Sequence, residues 1–158
     1  RKAFDEAVDS LIEFRKKEGE SLRAVFMEKL ANIRELLSQV DPFEKERVEK
    51  IKQRIQDQLI ALKDIDYDKN RFEQEMIYYI EKLDVNEEKN RLRQHLSYFE
   101  ETMDMEGASG KKMGFIAQEI GREINTLGSK SNHSEMQKIV VKMKDELEQI
   151  KEQVLNVL

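Results

Sequence analysis

The sequence predicts an all-α protein, an elongated helical bundle with a long antiparallel helical hairpin and a C-terminal heptad helix. Three observations lead to this prediction. Charged and hydrophobic residues each make up 39% of the 158 residues. The chain has one proline, six glycines and no tryptophan, a composition typical of long amphipathic helices. Apolar residues recur at spacings of three and four almost throughout, and no segment alternates as a strand would.

Charge and composition exclude several classes of protein. The net charge of −5 disfavours indiscriminate nucleic-acid binding, because such binding needs positive charge to displace counterions. The absence of cysteine excludes disulfides, cysteine-ligated zinc and thiol catalysis. No apolar run approaches the roughly 20 residues that cross a bilayer. We expect a cytoplasmic protein with neither a membrane partner nor a small-molecule cofactor.

The first 67 residues are predicted to form an arm made of two long helices. Apolar spacings of three and four run from Arg1 to about Val40. Asp41-Pro42 should end this helix, because the residue before a proline is disfavoured in the helical region. A second helix, from about Phe43 to Ile65, follows after so short a turn that we expect it to fold back as an antiparallel hairpin. Apolar residues recur at helical spacing from the start of the chain, which has neither an initial methionine nor a helix-capping residue. We therefore also expect the chain to be part of a longer protein.

Residues 68–158 are predicted to form a second domain of four helices. The third helix runs from about Lys69 to Leu83, and Asp84 starts the fourth through the capping box DVNE. The inward residues expected on the third helix are Phe72, Met76, Tyr79, Ile80 and Leu83. After the loop DMEGAS the fifth helix begins near Gly110, and Gly128 should end it as a left-handed C-cap. The last helix has an unbroken heptad seam: Met136, Val140, Met143, Leu147, Ile150, Val154 and Val157.

The fifth helix has an unusual outer face. Its buried stripe is Met113, Ile116, Ala117, Ile120, Ile124 and Leu127. Phe115, Glu119, Arg122 and Thr126 line the opposite side, where a solvated helix usually carries interchangeable lysine and glutamate. Gly114 and Gly121 each cost roughly 1 kcal/mol of helix propensity relative to alanine. Such costs indicate that the helix needs close backbone approach or a surface shaped for a ligand.

Two groups of polar residues can carry chemistry. His95 lies on one flank of the fourth helix with Asp84, Glu87, Glu88 and Arg91, and we expect this flank to face the fifth helix. An imidazole can act as an acid, a base or a metal ligand near neutral pH. The alternative is a surface histidine bonded to a neighbouring carboxylate. His133 lies in a connecting turn, and no role is assigned to it.

Glu119 and Glu123 lie one helical turn apart, so their carboxylates can converge on a hard cation such as Mg²⁺ or Mn²⁺. Arg122 and the lysines at the start of the helix can bind phosphate, and Phe115 can stack a base of single-stranded RNA. The alternative is an ordinary ion-pair network between helices, with Phe115 buried in a second interface.

The fifth helix and its surroundings resemble a known family. The segment GKKMGFIAQEIGREINTLGSK and the helix after it look like the C-terminal signature of the YicC/YloC bacterial endoribonucleases. The upstream stretch NRFEQEMIYYIEKLDVNEEKNRLRQH is also similar to that family. The chain departs from the family pattern at Gly114, Gly121 and His133, where Asp, Asn and Asp are common. The strand-containing N-terminal half of the family is absent from this sequence.

The resemblance implies a metal-dependent endoribonuclease that cleaves single-stranded or structured RNA and forms a homo-oligomer, a hexamer in the full-length protein. On that basis the catalytic residues are predicted to be His95, Glu119 and Glu123. The predicted ligands of Mn²⁺ or Mg²⁺ are Glu119, Glu123, Glu87 and Glu88. The predicted RNA-binding residues are Arg91, Lys111, Lys112, Phe115, Gln118, Arg122, Asn125, Thr126 and Lys130. Two alternatives stay open: a metal-free ribonuclease in which His95 activates the ribose 2′-hydroxyl, and a helical module that only oligomerises or binds RNA.

Overall fold

The computed structural model describes residues 1–61, 69–105, 107, 109–131 and 133–157, and for residues 69, 80, 82 and 83 it describes the backbone alone. Six helices follow one another: α1 (Lys2–Ser38), α2 (Val40–Ala61), α3 (Lys69–Leu83), α4 (Asn86–Asp104), α5 (Gly110–Lys130) and α6 (Ser134–Val154). The described residues contain no strand, so the all-α class is confirmed. None of these helices has the length and apolar character needed to cross a membrane.

Four helices close into a bundle. The second half of α1 packs on α4, α4 on α5, α5 on α6, and α6 back on α1. Phe26 of α1 meets Phe99 of α4 edge to face, with ring centroids 5.3 Å apart. Polar contacts tie the same helices together at their edges, since Arg34 lies 2.8 Å from Glu100 and Asn32 donates to Glu146 over 3.1 Å. The bundle therefore holds α4 and α5 side by side in a fixed register.

Helix α5 is buried along the stripe that the sequence predicts, from Met113 to Leu127. Ser109 caps its start, where the side-chain oxygen accepts from the backbone amide of Lys112 at 3.2 Å. The predicted C-cap is wrong, because α5 continues through Gly128 to Lys130. Among the described residues only Gly107 has a positive φ, of 75°. Gly128 serves a different purpose: a Cβ there would lie 3.0 Å from the Val140 Cγ1 atom.

Helix α6 confirms the heptad prediction. Its buried residues include every predicted seam position from Met136 to Val154, and Val157 beyond the helix end is partly buried against the core. It runs antiparallel to α5, because Gly110 approaches the backbone of Val154 while Gly128 approaches Val140. The close approach expected from the glycines is thus made to α6, over the whole length of α5.

The joint between α1 and α2 differs from the predicted hairpin. The two helices form one long bent helix, because Gln39 between them keeps helical angles of φ −72° and ψ −15°. Pro42 falls in the first turn of α2, where its missing N–H needs no partner. Residues 1–21 are exposed, and among the described residues α2 does not fold back over them. The predicted turn at residues 64–68 and the domain boundary at 67/68 lie outside the described residues.

Helix α3 and the start of α4 correct two smaller predictions. Phe72 and Met76 are only half-buried, and Tyr79 is 50% exposed, because α3 lies outside the four-helix bundle. The expected burial of Ile80 and Leu83 concerns side chains outside the described part. Helix α4 begins at Asn86 rather than at Asp84, and the Asp84 carboxylate accepts from the Asn86 amide at 3.0 Å.

Candidate functional site

A line of polar side chains runs along the junction of α4 and α5. We call it the α4–α5 polar face; it comprises Glu88, Arg91, His95 and Tyr98 of α4 and Lys112, Glu119, Glu123 and Lys130 of α5. The two helices are antiparallel, so Arg91 meets Glu123 near the middle while Tyr98 meets Lys112 at one end. The flank expected to face α5 does so, because residues at spacings of three and four leave one side of a helix.

Glu123 lies at the centre of the polar face. Its side chain is only 7% exposed, and the Arg91 Nε atom lies 3.2 Å from its Oε1 atom. The same Oε1 atom is 3.9 Å from the Nε2 atom of His95, whose side chain is 29% exposed. This separation is longer than a hydrogen bond and short enough for an ion pair when the imidazole is protonated. The structure therefore places His95 beside Glu123.

A second buried carboxylate, that of Glu88, lies one turn before Arg91. Its side chain is 3% exposed, and Lys130 Nζ binds its Oε1 atom at 2.7 Å. Arg91 is 3.7 Å from the same oxygen and also pairs with the exposed Glu87 at 2.8 Å. The Oε2 atom of Glu88 is buried and has no hydrogen-bond partner among the described residues. One guanidinium thus connects three carboxylates.

Helix α2 is also linked to this cluster of charged side chains. Arg47 is buried and donates to the backbone oxygen of Lys130. Lys89 of α4 binds Asp41 at 2.6 Å and Glu44 at 2.8 Å, with its own side chain 9% exposed. Burial lowers the pKa of Lys89, and the hydrogen bonds to the two carboxylates raise it by more, so its pKa lies above the ordinary lysine value. Burial also lowers the pKa of Arg47.

Glu119 is placed apart from the other predicted catalytic residues. Its side chain is 49% exposed, and its nearest described ion pair is with Arg122 at 3.7 Å. It lies on the same flank of α5 as Glu123, one turn closer to Lys112. Among the described contacts none joins Glu119 to His95. The structure thus places His95 beside one of the two predicted carboxylates and leaves the other facing solvent.

The predicted RNA-binding residues fall in three places: the polar face, the outer surface of α5 and the flank of α5 that faces α6. Arg91, Lys112 and Lys130 belong to the polar face. Phe115 is 59% exposed and Arg122 is exposed on the outer surface beside it, together with Lys111. Gln118 and Asn125 are exposed three or four positions from the glycines that approach α6, so they lie on the α6 flank, away from Glu123. Thr126 donates to the backbone oxygen of Arg122 in its own helix at 3.0 Å.

The predicted metal ligands do not converge in this structure. Glu123 and Glu88 are compensated by Arg91 and Lys130, while Glu87 and Glu119 point to solvent. Within the described ranges, no group of three or more acidic or histidine side chains is arranged to hold a metal ion. A hard divalent cation needs several oxygen ligands at once. In this arrangement the four predicted ligands are not gathered around one point, and the metal requirement stays a prediction.

Two surface pockets lie outside the polar face. One, of about 990 Å³, is lined by α1 residues such as Leu22 and Phe26 and by the chain end near Val157. The other, of about 900 Å³, lies between α2 and α4 around Glu44 and Lys89. None of the eight polar-face residues lines either of these two pockets. The polar face extends along two helices, which suits an extended ligand better than an enclosed small molecule.

Two contacts were not predicted from the sequence: the helix cap made by His133 and the contact of Tyr98 with Lys112. The Nδ1 atom of His133 accepts from the Glu135 amide at 3.1 Å and caps α6, while its Nε2 atom lies 3.5 Å from Glu46 of α2. A histidine just before a heptad helix was the available signal for the cap. Tyr98 was detectable too, because it follows His95 by three positions on the same flank.

These features define an all-helical protein with a charged and aromatic strip between two of its helices. The model of the family described as endoribonuclease YicC-like, C-terminal, matches residues 39–158. The chain therefore belongs to that family, as the sequence resemblance predicted.

Two curated relatives carry the name probable endoribonuclease YicC. The protein from Haemophilus influenzae is 34% identical over 158 residues, which cover 98% of this chain and 53% of the relative. The protein from Clostridioides difficile is 30% identical over 157 residues, which cover 98% of this chain and 54% of the relative. The chain thus spans about half the length of these two relatives.

Proposed function

We propose that the protein containing this chain is an endoribonuclease that binds single-stranded or structured RNA on the α4–α5 polar face and cleaves it beside His95. The observation that carries this proposal is the position of His95, half-buried with its Nε2 atom 3.9 Å from the buried Glu123 carboxylate. Histidine is the side chain best suited to exchange protons near neutral pH. The two relatives are named as endoribonucleases, which supports the same activity here.

His95 has the properties that a proton-transfer residue needs. Cleavage of an RNA phosphodiester requires a base to take a proton from the attacking oxygen and an acid to protonate the leaving 5′ oxygen. The imidazole can do either, and its Nε2 atom lies 3.9 Å from the Glu123 carboxylate. The Arg91 guanidinium, 3.2 Å from Glu123, adds positive charge where the phosphate gathers negative charge. Glu123 and Arg91 act by positioning and by electrostatics.

The cations of the polar face can hold the RNA backbone on both sides of His95. Lys130 lies at one end of α5 and Lys112 near the other, about 27 Å apart along the helix axis. Arg91 stands between them and is 43% exposed. The whole chain has a net charge of −5, whereas the polar face has as many cations as carboxylates, so phosphate is repelled less there than elsewhere on the chain. A cytoplasmic location and a requirement for Mn²⁺ or Mg²⁺ accompany the proposal as further predictions.

The first test is the His95→Ala variant of the full-length protein. Because general acid–base catalysis typically contributes 10²–10⁴-fold, we expect the cleavage rate of a labelled RNA to fall by about 100-fold or more. Its affinity for RNA should stay close to that of the parent protein. Glu101→Gln, on an exposed part of α4, is the control and should cleave normally. A His95→Ala variant that cleaves at the parent rate contradicts the proposal.

The chemistry of the product ends decides whether metal takes part. A 2′,3′-cyclic phosphate that forms in EDTA identifies attack by the ribose 2′-hydroxyl. Cleavage that requires Mn²⁺ or Mg²⁺ and leaves no cyclic phosphate identifies metal-dependent hydrolysis. Glu119→Gln combined with Glu123→Gln should then abolish the metal response, and an unchanged response would refute the predicted ligand set.

A second candidate function, a helical module that only oligomerises, is favoured by the first half of α1. Phe4, Leu11 and Phe14 are 72%, 52% and 61% exposed. A row of exposed apolar side chains on one helix is typical of a surface that another chain covers. We propose that a second copy of the chain covers this surface, within the predicted hexamer.

Light scattering of the full-length protein tests this proposal, since Phe4→Ser combined with Leu11→Ser should lower the measured mass of the oligomer. Oligomers that never cleave RNA would favour this second function over the first.

A further inference from the structure

Tyr98 lies at one end of the polar face and takes no part in the ion-pair cluster. It follows His95 by three positions on α4, so the two side chains leave the same flank about one turn apart. Its neighbours Leu96 and Phe99 are fully buried, whereas Tyr98 is 41% exposed. The bundle core therefore does not need the Tyr98 ring, which is presented on the surface beside His95.

Lys112 of α5 contacts this ring. Its ammonium nitrogen lies 5.4 Å from the ring centroid, a distance at which the cation is attracted to the aromatic face. Lys112 itself is exposed, at the start of α5. The contact brings an aromatic ring and a positive charge together on one exposed spot, across the junction of two rigid helices.

The charge of Lys112 is available to a ligand. Arg91 and Lys130 are engaged by Glu123 and Glu88 at 3.2 Å and 2.7 Å. Lys112 has no ion pair with a carboxylate in the described part of the chain, and its described side-chain contact is with Tyr98. An uncompensated cation next to an exposed aromatic ring is the combination with which proteins hold single-stranded nucleic acid: phosphate on the cation and base on the ring.

We propose that Tyr98 and Lys112 form a nucleotide subsite in which one RNA base replaces the Lys112 ammonium on the face of the Tyr98 ring, while that ammonium binds the adjacent phosphate. This inference rests on the proposed function, because it takes RNA as the ligand of the polar face. The subsite lies one helical turn from His95 and fixes which nucleotide is held beside the cleaved bond. It binds an unpaired base, since a base within a duplex cannot lie flat on a side chain.

The test uses the full-length protein with His95→Ala, so that RNA binds without being cleaved, and a short fluorescein-labelled single-stranded RNA. Because stacking on an aromatic side chain is worth about 1–3 kcal/mol per base, adding Tyr98→Leu should weaken binding by roughly 5- to 100-fold. Tyr98→Phe should preserve the affinity, because it keeps the ring. Tyr78→Leu is the matched control, since Tyr78 is an exposed tyrosine on α3, 68% exposed, and should bind as before.

Two further variants test the subsite without removing a ring. Lys112→Met should reduce the slope of log affinity against log salt by about 0.7, the value expected for one phosphate of a single strand. Tyr98→Trp should bind normally and change its fluorescence when RNA is added, whereas Tyr78→Trp should not. This second readout decides the matter even if Tyr98→Leu fails to fold.

The outcomes separate this inference from the proposed function. Two results would overturn the subsite independently of the role of His95. One is unchanged RNA affinity in folded Tyr98→Leu. The other is indole fluorescence of Tyr98→Trp that does not change when saturating RNA is added. Conversely, loss of binding in Tyr98→Leu together with normal cleavage by His95→Ala supports the subsite and removes His95 from the reaction.

Discussion

Helix α5 meets its two neighbours in opposite ways. Against α6 it presents glycines, and a Cβ at Gly128 would lie 3.0 Å from Val140 Cγ1. Against α4 it presents charge: Glu123 is buried beside Arg91, and Lys130 binds the buried Glu88. We call these two contacts the glycine interface and the ionic interface.

The contrast separates the contact that stabilises the bundle from the contact whose side chains can bind a ligand or take part in a reaction. The glycine interface depends on shape, because close approach leaves no room for an added side chain or for water. The ionic interface contains carboxylates and cations at an edge that solvent reaches. A charged group of a ligand can replace one member of such a pair. Of the five predictions below, the first four test whether side-chain volume governs the glycine interface and whether charge governs the ionic contacts of α4.

The largest effect is expected for Lys89→Met, in a separate ionic contact that joins α4 to α2. Glu44 has a side chain only 12% exposed, so removing Lys89 leaves a nearly buried carboxylate without its cation. We expect a loss of about 3 kcal/mol in the free energy of unfolding, measured with urea. Lys50→Met is the control, because its pair with Glu46 is exposed and should matter little.

The same lysine gives the ionic contact between α4 and α2 a pH dependence with a defined sign. The hydrogen bonds to Asp41 and Glu44 outweigh burial, which alone would lower the pKa of Lys89, so its folded pKa is raised. Its contribution to stability is therefore complete below the ordinary lysine pKa of about 10.4 and declines as pH rises through the folded value. Lys89→Met should lose this part of the alkaline decline; an identical decline would contradict the assignment.

The next effect tests the glycine interface. Gly128→Val adds three carbons where even a Cβ would lie 3.0 Å from Val140, a stiff β-branched residue that is itself buried. We expect a loss of about 2 kcal/mol in thermal or urea unfolding. Gly128→Ala should change stability far less, because its gain of about 1 kcal/mol in helix propensity offsets the tight contact. Equal stability of the valine and glycine proteins would show that α5 and α6 are free to separate.

A smaller effect is expected for Glu88→Gln at the ionic interface. The substitution keeps the shape and removes the charge, so the 2.7 Å bond from Lys130 loses its ionic character. The other carboxylate oxygen has no partner within the described ranges, so little is lost there. We expect about 1 kcal/mol of destabilisation, measured by urea unfolding. Glu87→Gln, whose side chain is 74% exposed, should be neutral. If both variants behave alike, burial of the charge is unimportant.

The period of the apolar residues was enough to predict most helices and the buried faces of α5 and α6. Burial follows directly from that period, because residues at spacings of three and four share one side of a helix. The joint at Gln39 could not be predicted in this way. Whether the chain turns back or continues there depends on how α1 and α2 pack against the distant helix α6, which one residue before a proline does not determine.

The site was only partly predictable for a related reason. The sequence showed that His95 and Glu123 lie on polar flanks of neighbouring helices, and the structure brings them to 3.9 Å. It could not show which of Glu119 and Glu123 is buried, since the two differ by a small rotation about the helix axis. Nor could it assign Arg91 and Lys130 to their carboxylates, because charged pairs between helices depend on register.

The smallest effect concerns a glycine outside both interfaces. Gly19 lies within α1, and among the described residues no atom would come within 4 Å of a Cβ placed there. Gly19→Ala should therefore stabilise the protein by about 0.5–1 kcal/mol, because alanine has the higher helix propensity and nothing opposes it. Thermal unfolding measures the gain, with Gly128→Ala as the comparison. If Gly19→Ala destabilises instead, another chain approaches α1 closely at this position, and the glycine interface is then not the only close contact that glycine permits in this protein.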